Sequence, residues 1–136
     1  MEERDYLKRQ LDQLGRVLGM LIARLLKTNP EGQIENQSFV NQALNNELQL
    51  DIPTIIDMES EYLLFTLTNE KNVNNDNLEK LAYLFLLLAE DEDNLNEIER
   101  KNLLKKSLII YEYLQETSDT FSFERHTNIE KIKATL

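Results

Sequence analysis

Few side chains in this sequence are of a type and spacing that could do chemistry. His126 is the sole imidazole, and it stands near the C-terminus on a helical stretch with Glu124, Arg125 and Glu130. General acid–base catalysis or metal ligation by a histidine needs convergent partners, and the sequence offers neither a cysteine nor a second histidine. A half-exposed helix position is therefore expected for His126. The densest acidic run, Glu90-Asp91-Glu92-Asp93, invites comparison with a calcium loop. Such a loop takes Asp or Asn at alternating positions, a central Gly and a closing Glu at the twelfth position. Counted from Asp91, the fifth position is Leu95, the sixth Asn96 and the twelfth Asn102, so the pattern fails. A solvated turn between helices is expected there instead. No nucleophile motif occurs, and glycine only at 15, 19 and 32 rules out a phosphate-cradling fingerprint. The expectation is a chain that is not an enzyme and uses no metal or cofactor.

Another set of residues matters through its spacing rather than its reactivity. Gly15, Gly19 and Ala23, each four apart, make a smooth strip on which a second helix could lie close. Two occupants of that strip are open. One is a helix of the same chain, from 77–90 or 96–116. The other is a second copy, giving a homodimer through the first helix with Val17 and Met20 beside the strip.

The elements that must position these residues are helical throughout. Leu7, Leu11, Leu14, Leu18, Leu21 and Leu25 are spaced 4-3-4-3-4, which predicts one helix over residues 4 to 27. Its apolar and small residues cover an arc of about 200°, wider than a one-sided surface helix needs, with Val17 and Met20 outside it. Neighbours on more than one side are expected. Thr28-Asn29-Pro30-Glu31-Gly32 should end this helix. A weaker helix follows at 33–48, with Phe39, Val40, Ala43, Leu44 and Leu48 on one face. A helical turn after Pro53, with Thr54 and Asp57 imitating a capping box, and a short helix at 59–67 come next. Past the loop at 69–77, Asp76 with Glu79 reads as a helix start, and the leucines from Leu78 to Leu88 predict a central, surrounded helix. Asn94 with Glu97 reads as the start of a helix over 96–116, seamed by Leu104, Leu108 and Tyr111. A last helix from Phe121 aligns Ile129, Ile132 and Leu136.

Residues 77–136 thus have the rhythm of helical hairpins, and Ser107, Tyr111 and Leu114 fall where tetratricopeptide helices place small, aromatic and small residues. Leu114 is large for that pattern, the glycine of the first repeat helix is missing, and no clean period of about 34 residues recurs. Three pieces of sequence carry a broader likeness: Arg4-Asp5-Tyr6-Leu7 leading into Gln13-Leu14-Gly15, then Leu48-Gln49-Leu50-Asp51, then Asn77-Leu78-Glu79-Lys80-Leu81. In these the chain resembles an uncharacterised family of small all-helical bacterial proteins, over nearly its whole length, with a longer tail after Ser118. The resemblance implies a long N-terminal helix followed by a tetratricopeptide-like layer, and it brings no catalytic residues. The fold expected is all-α: a single domain over 1–136, made of the helix at 1–27, short helices and loops at 28–76, and tetratricopeptide-like helices at 77–136. About six helices should form a right-handed superhelix or an irregular bundle. A tetratricopeptide groove can clamp a peptide's C-terminal carboxylate with Lys and Asn, which makes Lys101, Asn102 and Lys105 a candidate contact face within the cluster Arg100, Lys101, Lys105 and Lys106. Glu97, four residues before Lys101, equally suits a surface ion-pair ladder.

Composition sets the outer bounds. With no cysteine there is neither a disulfide framework nor a zinc–thiolate site, and three Gly with two Pro are too few for a many-stranded β fold. No secretory signal is visible behind Met1, and the longest strictly apolar run, Leu81 to Ala89, is far short of the roughly 20 residues that span a bilayer. A cytoplasmic protein without membrane attachment is expected. The net charge of −10 excludes a basic footprint for nucleic acid. Residues 1–27 nevertheless balance at +2 and residues 28–136 at −12, and Glu47 to Glu99 holds 14 acidic residues against Lys71 and Lys80 alone. The leading expectation is a non-enzymatic module that binds a protein or peptide. The alternative is an acidic electrostatic partner of a basic protein, as a chaperone, inhibitor or nucleic-acid mimic.

Overall fold

A computed structural model describes the backbone of residues 2–27, 33–91 and 94–136, and every regular element in them is helical. The helices are α1 (Glu2–Lys27), α2 (Gln33–Leu48), α3 (Ile52–Asp57), α4 (Ser60–Phe65), α5 (Asn75–Ala89), α6 (Glu97–Thr117) and α7 (Phe123–Thr135), with a π-helical turn at Thr66–Glu70 after α4. The expected breaker Thr28–Gly32 lies outside the described residues. One helix more than expected forms because Asp51 caps α3: its Oδ1 accepts from the Thr54 amide at 2.8 Å, with Pro53 in the first turn. The capping group is thus Asp51, not the Thr54–Asp57 pair. Gln49 takes a left-handed conformation (φ 55°) and turns the chain off the end of α2.

The long leucine helix α5 is central, as its all-round apolar pattern predicts: Leu78, Leu81, Ala82, Leu84, Phe85, Leu86 and Leu88 are all buried. Hydrogen bonds between helices give their directions. Ser107 donates to the Ala82 carbonyl (2.6 Å) and Arg100 to the Ala89 carbonyl (2.7 Å), seven residues on in α5 and seven back in α6. These two helices are therefore antiparallel at a fixed register. Asn77 donates to the Leu11 carbonyl (3.0 Å) and Lys80 to the Gly15 carbonyl (3.4 Å), so α1 runs parallel to α5. Arg125 pairs with Glu79 and Lys131 with Glu90, so α7 also runs parallel to α5. Gln13 reaches Glu47, and Arg24 reaches Asn36, so α2 is antiparallel to α1. Helices α1, α5 and α7 point one way, and α2 and α6 the other.

The wide apolar arc of α1 meets two neighbours, α5 and α2. Leu14, Leu18 and Leu21 are buried, Leu11 and Leu25 half-buried, and Met20 is exposed. No helix among the described residues is long and apolar enough to cross a membrane. Three helix starts fall two residues from the positions predicted. Asn74, not Asp76, caps α5 by accepting from the Asn77 amide (3.1 Å). Asn96, not Asn94, caps α6 in a full capping box with Glu99. Ser122 caps α7, which begins at Phe123 rather than Phe121.

Candidate functional site

The parallel set of α1, α5 and α7 leaves a trough between α1 and α7, with α5 as its floor. At one end Asp12, Gly15 and Arg16 of α1 face Asp76, Asn77 and Lys80 of α5 across about 400 Å³. At the other, Ile22 of α1 faces Tyr83 on the floor and Arg125 and Asn128 of α7 across about 230 Å³. Lys80 borders both clefts, its ammonium reaching across to the Gly15 carbonyl (3.4 Å), so the two lie next to each other along α1 and α5.

The glycine strip explains the shape of the α1 wall. A Cβ on Gly15 would stand 3.1 Å from Asn77 Oδ1 and 3.3 Å from Lys80 Nζ, so its absence lets α1 sit down on α5. Asn77, nearly fully buried, ties the two backbones together there through the Leu11 carbonyl. One turn on, a Cβ on Gly19 would meet nothing within 4 Å, and Ile22 then restores the wall. The strip is not one contact surface. Gly15 packs within the chain, Gly19 is half-buried with open space at its Cβ position, Ala23 is exposed, Val17 is half-buried and Met20 faces solvent.

Arg125 builds the opposite wall. Its Nε donates to Glu79 Oε1 (2.7 Å), its Nη2 bonds the same oxygen, and its Nη1 reaches Gln115 Oε1 (3.2 Å) and the Leu114 carbonyl (3.5 Å). That carbonyl, which also accepts from the Ser118 amide (2.9 Å), lies in the last turn of α6, where a cation is favoured. Although charged, Arg125 is only 7% exposed. The spacing Arg125, Ile129, Ile132 (i, i+4, i+7) is the sequence signal that puts it on the buried face of α7, while its neighbour His126 falls on the exposed one. His126 itself is exposed, its ring 5.8 Å from that of Phe121. Tyr111 closes the base of the cleft: its hydroxyl accepts from Asn128 Nδ2 (3.1 Å), and burial above all holds its phenol well above the ordinary range. It is a neutral group with its own proton left to donate.

The predicted basic face is divided. Lys101 pairs with Glu97 at 3.4 Å on the surface, the ladder that the spacing allowed, and Lys105 is exposed beside it. Asn102 is half-buried and its carbonyl accepts from Lys106 (3.5 Å). Arg100 turns to the end of α5 and Lys106 into the core, so the four cations share no common face. None of them borders the trough. In the acidic turn Glu90 pairs with Lys131 (2.6 Å) and Asp91 accepts from Asn94, while Glu92 and Asp93 lie outside the described residues. No group of three or more His, Cys, Asp or Glu among the described residues is placed to hold a metal. The trough presents tyrosine and isoleucine surface interleaved with Asn, Lys, Arg and carboxylate groups. Compared with protein-family models, curated proteins and solved structures, the chain matches none.

Proposed function

We propose that this chain is a non-enzymatic interaction module that takes an extended segment of a partner protein in the trough between α1 and α7. The observation that carries this reading is the pair of adjacent clefts that meet at Lys80, one between α1 and α5 and one reaching α7, with open space at Gly19 on the α1 side. A peptide needs donors and acceptors for its backbone and shallow apolar ground for its side chains. Asn77, Lys80 and Asn128 lie along the two clefts beside Ile22 and Tyr83. The alternating directions of α5, α6 and α7 further support a tetratricopeptide-like stack, in which α1, parallel to α5 and α7, stands in the place of the first helix of a preceding repeat. Stacks of that kind bind along a concave face.

Gly19→Leu tests the proposal, because the new side chain fills open space. Leu is favoured over Gly inside a helix by about 0.8 kcal/mol, so the fold should not suffer. In selection from a displayed random-peptide library, the wild type should enrich a shared motif, and Gly19→Leu should bind that peptide at least about tenfold more weakly with an unchanged or higher Tm. Equal affinity in the variant, or no enriched motif, overturns the reading. The acidic surface favours a second reading, a basic partner held by charge, and salt separates the two. Affinity in the trough, which carries both signs, should change little with ionic strength, whereas a purely electrostatic partner is lost steeply.

A further inference from the structure

The leucine seam of α1 runs past the core that uses it. Leu14 is buried and Leu11 half-buried, but Leu7 is 46% and Tyr6 62% exposed, and every side chain from Arg4 to Gln10 lies at the surface. The 4-3 spacing that seats Leu14, Leu18 and Leu21 continues unbroken to Leu7, so this part of the seam has the pattern of helix pairing without a helix beside it. It opens onto a second trough of about 700 Å³, whose far wall is the end of α2 at Glu47 and Leu48 and the turn at Glu70.

The charges on the two sides are complementary but unpaired. Residues 4–10 carry Arg4, Lys8 and Arg9 against Asp5 alone. None of these three cations lies within 4.0 Å of a carboxylate among the described residues. On the far wall Glu47 accepts from the amide of Gln13 (3.0 Å), Glu70 has no ion pair among the described residues, and Lys71 donates to Gln49 Oε1 (3.0 Å). A cationic helix end and a wall with carboxylates on one molecule satisfy each other when two copies meet about a two-fold axis.

We propose that this face is the interface of a homodimer, in which residues 4–11 of each α1 lie in the Glu47–Glu70 trough of the other copy. The contact uses the first third of α1 rather than the strip of Gly15, Gly19 and Ala23 or the pair Val17 and Met20. It therefore stands or falls apart from the peptide trough. Sedimentation equilibrium of the full chain should give a mass near twice 16.0 kDa in the micromolar range. Leu7→Glu and Tyr6→Lys, at positions outside the core, should each raise the dissociation constant at least about tenfold with helix content intact. Met20→Glu, exposed more than three turns further along α1 and outside that trough, should leave the mass unchanged. A monomer persisting at about 100 μM wild-type chain overturns the proposal, as does a dimer insensitive to both α1-end variants or dissociated by Met20→Glu.

Discussion

Lys106 is a cation without a carboxylate. It is 4% exposed, makes no ion pair among the described residues, and donates to the Ile56 carbonyl (3.2 Å) and more distantly to that of Asn102 (3.5 Å). Ile56 stands in the last turn of α3, whose carbonyls lack helical donors. Burial holds the Lys106 ammonium below its ordinary pKa, the nearby Lys105 charge adds to the effect, and Asp57 opposes it. Lys105 and Lys106 look alike in the sequence, yet one shares a face with Lys101 and the other with Leu103 and Ile110, so helical spacing alone separates solvent from core. The consequence for pH has a definite sign. Between the lowered folded value and the ordinary 10.5, the unfolded chain binds the proton more tightly than the folded one, so stability rises with pH in that window. Lys106→Met removes this contribution. The Tm of the wild type relative to Lys106→Met should therefore increase from about pH 7 to about pH 9.5, and a constant or shrinking difference contradicts the assignment. Measurements should stay below pH 10, because Tyr111, held protonated by burial, contributes with the opposite sign above it.

Helix α7 is held to the rest by a few side chains, and Arg125 is the chief of them. Ile129 and Ile132 supply its apolar contact, while the Lys131–Glu90 pair is exposed and adds little. Arg125→Ala leaves Glu79 without its cation and removes the contacts to Gln115 and to the Leu114 carbonyl, a loss of about 2 to 4 kcal/mol. Because these anchors belong to one element, the damage should be local. Hydrogen exchange should show protection lost across 123–135 while the α5 amides keep theirs, and equal loss in both would mean that α7 does not open on its own. Helices as wholes were legible in the sequence: α2 occupies the predicted residues, and the seam of α6 buries Leu104 and Tyr111 as expected. Their first residues were less so. Asn94–Glu97 and Asn96–Glu99 satisfy one capping pattern two residues apart, and no local rule prefers either. Tertiary contact decides, by burying Leu95 just before the cap and drawing Arg100 onto the end of α5. The five asparagines between Asn69 and Asn77 pose a similar tie. It resolves in favour of Asn74, the start that lets Asn77 reach α1.

The trough was only half legible for a reason that belongs to the whole molecule. The glycine strip announces a close approach, which holds at Gly15 alone, and the far wall comes from residues beyond position 110. Only the folded chain sets α7 parallel to α5 and so brings that wall opposite α1. Charge is a property of the same scale. The segment from Glu47 to Glu99 holds 14 acidic residues against Lys71 and Lys80, and both cations are turned to neutral oxygens, of Gln49 and of the Gly15 backbone. Cations from α6 and α7 pair with Glu79, Glu90 and Glu97, which leaves most of the acidic groups of this segment without an ion pair among the described residues, and the basic groups of α1 are spread along a helix whose end stands clear of the core. Mutual repulsion of this kind works against the compact state. Screening should relieve it, since the Debye length falls to about 10 Å at 0.1 M salt. The Tm should therefore rise from low ionic strength to about 0.3 M NaCl. Glu59→Gln combined with Glu61→Gln, both at exposed positions, should raise the low-salt Tm and flatten the salt dependence. A Tm that falls with added salt would place the balance instead with the attractive pairs Lys131–Glu90 and Arg125–Glu79, which salt weakens, and would remove repulsion as the term that limits this fold.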